Sequence, residues 1–317
     1  MKIIFMGSPQ FAVPSLEALH ASSHQIVAVV TQPDRPSGRK LHLEAPPVKV
    51  MAHALGIPVF QPVTTKTAQF LDEIRSFEPD LLVVVAYGEI LRPALLGIPR
   101  RGAVNLHASL LPKYRGAAPI AWAILNGETE TGVTTMMMDA GMDSGPMLLQ
   151  QTCNIHPGDT TESLSKKLAS MGAPLLKKTI DALEKGELEP RQQDLSGVTY
   201  APKLKKEDGW IDWTRPADWI SRQIRAFHPW PGSFSRLNNQ QVKFWLANPV
   251  PENTDLPPGI IAAADQRGVF VACGEGTLLH ILDLQPESRP RMTAADFVHG
   301  YRIEAGKKFE SPARSVG

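Results

Sequence analysis

The stretch DLLVVVAYG, residues 80–88, is apolar without a break from Leu81 to Tyr87. A strand with one wet face alternates apolar and polar side chains. A strand covered by helices on both faces is apolar throughout, so this run predicts a central strand of a parallel sheet. Upstream, KIIFMG (2–7), HQIVAVVTQ (24–32) and IPVFQP (57–62) read as further short strands. Between them, PSLEALHAS (14–22), PPVKVMAHALG (46–56) and TAQFLDEIRSF (67–77) have helical spacing, the last with Thr67 as its cap and Phe70, Leu71, Ile74 and Phe77 on one face. Downstream, GAVNLHASLLP (102–112) and TGVTTMMMD (131–139) are two more strands, and a long helix is expected from about Thr160 to Leu183. Strands alternating with helices over short links give right-handed crossovers and a doubly wound α/β sheet, with ligands at the carboxyl ends of its strands.

The pattern then changes. Residues 190–206 have no sustained periodicity and read as a linker between a first domain, 1–189, and a second, 207–317. After a helix over 214–227, expected to be capped by Thr214, come five short strands: SFSRL (233–237), QVKFWLANPV (241–250), GIIAAAD (259–265), GVFVACG (268–274) and TLLHILDLQP (277–286). Asn238-Asn239 marks the first turn, and a helix near 293–302 ends the series. Five short strands split by turn residues predict a small C-terminal β-barrel, OB-like in character.

Composition narrows the functions. The chain has 317 residues, of which 43% are hydrophobic and 21% charged, and a net charge of +1, as in an ordinary folded protein. Its longest strongly apolar run, Leu81–Tyr87, is far below the ~20 residues that span a bilayer, and MKIIFMG is too short for a signal peptide, so a cytoplasmic protein is expected. Cys153 and Cys273 are too far apart for a zinc cluster, and both read as buried apolar fillers, so no metal is expected. The glycine-rich opening also misleads. A dinucleotide fingerprint needs G-x-G-x-x-G after the first strand, and here only Gly7 of Gly7-Ser8-Pro9-Gln10-Phe11-Ala12 fits. Among Trp210, Trp213, Trp219, Trp230 and Trp245, core packing is the expectation for most.

Residues two apart on a strand face the same way, so Asn105 and His107 share a side while Val104 and Leu106 take the other. Taken alone, such a pair is better explained by a polar core edge satisfied by backbone. Beyond the next strand, however, DAGMDSGP (139–146) sets two aspartates among small residues. An amide, an imidazole and a carboxylate at neighbouring strand ends suit acyl transfer without a covalent intermediate. The amide polarises a carbonyl, the imidazolium stabilises an oxyanion and the carboxylate is its counter-charge.

NLHASLLPKYRGAAPI (105–120), together with VVVAYGEIL (83–91) and GMDSG (141–145), resembles the formyltetrahydrofolate-dependent formyltransferases. TQPDRPSGRK (31–40), RAFHPWPG (225–232) and the barrel-like C-terminal part are similar to those members of the family that act on charged initiator tRNA. The resemblance implies transfer of a formyl group from 10-formyltetrahydrofolate, without a metal, to the α-amino group of methionyl initiator tRNA, by a monomer. It implies Asn105, His107 and Asp143 as catalytic residues. It places the folate near Tyr87, Gly88, Ile90 and Leu91, over Ser109, Leu110, Leu111 and Pro112, and against Asp139, with Tyr114 and Arg115 at the mouth. For tRNA it implies Arg35, Arg39 and Lys40 in the loop Asp34–Ala45, where His42 and Glu44 replace further basic residues. Lys203, Lys205, Lys206, Arg222, Arg225 and Lys243 are the expected phosphate contacts of the second domain. Two other acceptors stay open, a glycinamide ribonucleotide and an amino-sugar nucleotide, as do hydrolysis of formyl-folate and RNA binding without catalysis.

Overall fold

The computed structural model describes residues 1–37 and 42–312. They divide into two compact units: Met1–Pro119, Glu130–Asn154 and Ser165–Pro202 in the first, and Ile120–Thr129, Ile155–Leu164 and the chain from Lys203 in the second.

The first unit holds a seven-stranded sheet. Its strands are β1 (Lys2–Gly7), β2 (Gln25–Val30), β3 (Val59–Phe60), β4 (Leu81–Val85), β5 (Ala103–His107), β6 (Glu130–Met137) and β7 (Met147–Asn154), in the spatial order β7-β6-β5-β4-β1-β2-β3. β1 to β5 run parallel. Chain order moves outward from β1 to β3, returns to β4 beside β1, and moves outward the other way. The strand ends between β1 and β4 are therefore the switch point of the sheet. As the apolar run predicts, every residue of β4 is buried, and Ile3, Ile4 and Phe5 of β1 are fully so. Two-sided burial of this kind stabilises by ~1.5–3 kcal/mol per large aliphatic side chain.

Around the sheet lie α1 (Val13–His20), α2 (Pro47–Ala54), α3 (Ala68–Ser76) and the single turn α4 (Pro93–Leu96). Of α6 (Thr161–Lys185), the part from Ser165 belongs to this unit, whereas α5 (Pro119–Leu125) belongs, apart from Pro119, to the second. Thr67 Oγ1 accepts from Phe70 N at the start of α3, and Phe70 and Ile74 enter the core beside Ile4, Met6, Leu82 and Val84, as their spacing predicts.

Two features depart from the sequence reading. β6 and β7 are antiparallel, so the parallel sheet carries an antiparallel margin. β7, MLLQQTCN, has no clear alternation, because an edge strand with four of eight residues exposed needs none. The segment Asp34–Ala45 also holds structure, a short antiparallel pair between Arg35–Ser37 and His42–Glu44. Its base is tied by Asp34, which accepts from Lys49 Nζ (2.8 Å) and Gln61 Nε2 (2.7 Å). Those two bonds, Gln61 first, hold the Asp34 carboxyl below its usual value.

In the second unit, α7 (Ala217–Ala226) precedes β8 (Ser233–Leu237), β9 (Gln240–Asn253), β10 (Ile261–Asp265), β11 (Gly268–Ala272) and β12 (Thr277–Pro286), and α8 (Ala294–Tyr301) follows them. All five predicted strands form, in the antiparallel order β8-β9-β12-β11-β10. Asn238 and Asn239 both have positive φ (51° and 63°), as the two-residue turn between β8 and β9 requires. The sheet edges are joined through the end of the described chain. Leu237 bridges Phe309 and Ile260 bridges Lys308, which closes the expected barrel. Phe309 N donates to Gly259 O (2.9 Å). A Cβ at Gly259 would stand 2.6 Å from Phe309 O, so a side chain there would push the closing segment away.

Thr214 does not cap α7. Its Oγ1 donates to Asp212 Oδ1 (2.7 Å), and the N–H of Ala217 is satisfied instead by Thr277 Oγ1 (2.9 Å), a partner that local sequence cannot reveal. Of the five tryptophans from Trp210 to Trp245, only Trp213 is wholly buried, and Trp230 is exposed. Trp210, Trp219 and Trp245 are half-buried, each with a guanidinium above its ring, from Arg236, Arg215 and Arg291 in turn.

Cys273 is buried as expected, and desolvation pushes its thiol up to about 12, whereas Cys153 is half-buried at the sheet edge. A thiol-disulfide reagent at neutral pH should therefore titrate at most one thiol in the folded protein and two in denaturant. Two fast thiols in the folded protein would contradict the burial of Cys273.

Candidate functional site

β5 ends on Asn105-Leu106-His107, with Leu106 turned into the core and the two polar side chains sharing the other face. The loop after β6 brings Asp143 to them. Asn105 Nδ2 donates to Asp143 Oδ1 (3.5 Å), and His107 Nδ1 lies 3.6 Å from Asp143 Oδ2. The second imidazole nitrogen is committed, because Nε2–H donates to the carbonyl of Tyr114 (2.9 Å). A carbonyl can only accept, so this bond fixes the tautomer and leaves Nδ1 as the nitrogen facing Asp143. Asp143 Oδ2 also accepts from Gly116 N (2.8 Å). Asn105 and His107 are 8% and 6% exposed, so all three groups interact where water screens little.

The loop is held in an unusual path. Asp143 has φ 49°, a left-handed conformation uncommon outside glycine. Two residues on, a Cβ at Gly145 would lie 1.9 Å from Met137 O, so this close pass of loop over strand admits only glycine. Asp139 closes the loop on itself, its Oδ1 accepting from Gly141 N (3.0 Å) and Ser144 Oγ (2.8 Å).

At the switch point, Ser8 links three strand ends. Its Oγ donates to Tyr87 O (3.2 Å) and accepts from Gln32 N (3.1 Å). Ser8 has no sequence signal beyond its place after Gly7, and the sequence reading missed it. The Tyr87 side chain points into the core, where burial and the Glu89 charge raise its pKa, so only its backbone belongs to the surface. Gly88 and Ile90 are exposed, and their N–H groups have no partner among the described residues. The loop from Gly88 to Leu91 can thus offer backbone donors to a heteroaromatic ring, although the Leu91 side chain is buried.

Ser109 and Leu111 lie deeper than the sequence suggests. Ser109 is 0% exposed, with Oγ donating to Lys113 O (2.6 Å). Leu111 N donates to Thr134 Oγ1 (3.1 Å) and its carbonyl accepts from Gln150 Nε2 (2.8 Å). Leu110 and Pro112 are half-buried, while Tyr114 and Arg115 are buried instead of standing at a mouth.

Of the expected phosphate contacts, Arg35, Lys203, Lys205 and Lys206 are exposed, and Lys243 is half-buried. Arg222 is engaged with Asp218 (2.6 Å) and Leu125 O (3.1 Å), and Arg225 donates to Asp159 O (2.9 Å). Desolvation, then the neighbouring Arg222 charge, lowers the pKa of Arg225. Arg39 and Lys40 lie outside the described residues. Among the described residues no cluster of three or more His, Cys, Asp or Glu could hold a metal ion, and no helix is long and apolar enough to cross a membrane.

Comparison with known proteins gives the family of the chain. Residues 1–180 match the formyl transferase family model, and residues 203–302 match that of the formyl transferase C-terminal domain. A methionyl-tRNA formyltransferase of Citrifermentans bemidjiense is 48% identical over 317 residues, covering 100% of this chain and 99% of its own. One of Myxococcus xanthus is 46% identical over 307 residues, 97% of each chain. Among solved structures, the sugar 3N-formyltransferase WlaRD, determined in the presence of dTDP and 5-N-formyl-THF, superposes with a TM-score of 0.68 at 19% identity over 92% of this chain and 99% of that one. HypX from Aquifex aeolicus, in complex with tetrahydrofolic acid, superposes with a TM-score of 0.62 at 16% identity over 95% of this chain and 47% of that one. With a relative nearly half identical along the full length and both family models matched, the chain belongs to the methionyl-tRNA formyltransferase family.

Proposed function

We propose that this chain transfers the formyl group of 10-formyltetrahydrofolate directly to the α-amino group of methionine esterified to initiator tRNA, for translation initiation. The observation that carries the reading is the convergence of Asn105, His107 and Asp143 within 3.6 Å on a buried strand end. The methionine nitrogen attacks the formyl carbon and the carbonyl oxygen takes on negative charge in a tetrahedral intermediate. The bond to the folate nitrogen then breaks, and a proton lost by the amine replaces it there. Asn105 Nδ2 and the imidazole are the donors suited to the developing oxyanion, and one such donor is worth roughly 2.7–4 kcal/mol. With Nε2–H committed to Tyr114, the proton taken up or released by the ring is that on Nδ1, and Asp143 supplies the counter-charge.

The folate pterin lies against the backbone of residues 87–91, Leu110, Pro112 and the Asp139–Asp143 loop, a site of few polar anchors in an apolar frame. Arg35, Arg39 and Lys40 hold the acceptor arm, and Lys203, Lys205, Lys206, Arg222, Arg225 and Lys243 meet phosphates. The Arg222 and Arg225 guanidinium groups also serve internal partners, Leu125 O and Asp159 O. The protein acts as a monomer in the cytoplasm, and the reaction as written uses no metal.

Acceptor competition tests the proposal. Charged initiator tRNA should be formylated at least ~10²-fold more efficiently than glycinamide ribonucleotide or an amino-sugar nucleotide, and its affinity should fall with salt by ~0.7–0.9 in log–log slope per phosphate contact. Preference for either small acceptor, or salt-independent tRNA binding, would refute it.

A further inference from the structure

We infer that Gln193 is a positioning residue for Asp143, oriented in turn by Arg115; the inference rests on the catalytic reading of Asp143 given above. Gln193 lies in the segment expected to be a bare linker, and it is 7% exposed. Its Nε2 donates to two carbonyls of the loop after β6, Asp143 O and Gly145 O, at 2.8 Å each. Its Oε1 accepts from Arg115 Nε (3.0 Å) and Nη2 (2.8 Å). Every polar group of the carboxamide is thus used, and the two carbonyls it grips bracket Ser144, pinning the loop on both sides of one peptide unit.

Only a primary amide fits this place. Two acceptors on one side demand a nitrogen with two protons, and a guanidinium on the other demands an acceptor. A carboxylate at 193 would satisfy Arg115 and repel both carbonyls. The need for a grip is set by Asp143 itself, whose φ of 49° is disfavoured for a non-glycine residue and persists only where its surroundings impose it. Arg115 and Gly116 hold the same aspartate from two directions: Gly116 N binds the carboxylate, and Arg115 fixes the backbone through Gln193. The segment is anchored on either side of Gln193. Arg191 bridges Met147, and Tyr200–Ala201 runs parallel to Arg115–Gly116. A loop free to move by an ångström would carry the Asp143 carboxylate out of reach of His107 Nδ1, and errors of that size cost about 10²-fold in rate.

Formyl transfer to charged initiator tRNA should be measured for Gln193→Met, Gln193→Glu, Asp143→Ala and the double variant Gln193→Met/Asp143→Ala, with thermal midpoints recorded for each. Gln193→Met keeps the volume, and Gln193→Glu keeps the bond to Arg115. Both should lower kcat by at least ~10-fold with KM for the folate unchanged and the fold retained at the assay temperature. The thermal midpoint should drop, because Gln193→Met takes this acceptor from the buried Arg115 and Gln193→Glu sets a carboxylate against two carbonyls. In the Asp143→Ala background, Gln193→Met should cost nothing further, because the group it positions is gone. Losses that multiply, near-normal kcat in either Gln193 variant, or loss of activity only together with loss of the fold would overturn the positioning role. Near-normal turnover of Asp143→Ala would overturn the catalytic reading of the site instead, so the two failures are told apart.

Discussion

Replacing His107 or Asp143 with alanine is expected to lower turnover of formyl transfer by at least ~10²-fold each, while the protein remains folded. His107→Ala removes the one titratable side chain of β5, and with it the ring nitrogen 3.6 Å from Asp143 Oδ2. Asp143→Ala removes the counter-charge, an acceptor of Asn105 Nδ2 and the acceptor of Gly116 N together. Neither change opens a large apolar cavity, so the fold should survive both. The loss should appear in kcat, since interactions made only as charge develops leave ground-state binding untouched. Steady-state kinetics at saturating folate checks this. Wild-type kcat in either variant would remove that residue from the mechanism.

The second large effect is on stability. Phe309 is fully buried and stacks on Trp213 with ring centroids 5.4 Å apart, while Phe244 meets both edge-on at 5.4–5.6 Å. The same residue carries the bridge to Leu237 and donates to Gly259 O, and Glu310 N binds Arg236 O next to it. Phe309→Ala therefore empties the centre of the aromatic cluster at the place where the barrel is closed. Large-to-small changes of this kind cost about 3–5 kcal/mol, a large share of the stability of a domain this size. Urea denaturation followed by tryptophan fluorescence should show the midpoint of the second unit falling accordingly. A change below about 1 kcal/mol would mean that the segment lies on the barrel without closing it.

How much of this the sequence discloses depends on whether the signal is periodic. Leu81–Val85 reveals the central strand because burial on both faces leaves no polar position. The five barrel strands and the Asn238-Asn239 turn are equally plain, and Asn105 and His107 can be paired by counting two along a strand. Where a partner comes from far along the chain, no pattern carries it. Thr277 caps α7 across sixty residues, and Gln193 reaches Asp143 across fifty. Ser109 looks like a ligand contact beside Leu110 and Pro112, yet its hydroxyl is spent within its own turn on Lys113 O. β7 escapes notice because its outward residues are polar at an edge, and Asp34–Ala45 because its paired strands are only three residues each.

In the proposed reaction, formyl passes from folate to amine without being released. The most direct measurement follows a labelled formyl group from 10-formyltetrahydrofolate through one turnover with charged initiator tRNA, quantifying tetrahydrofolate, formyl-methionyl ester and free formate. One formylated ester is expected for each tetrahydrofolate, with no formate, and no tetrahydrofolate when the acceptor is withheld. Formate produced in step with tetrahydrofolate in the absence of tRNA would contradict it, because water would then be the nucleophile that Asn105, His107 and Asp143 serve.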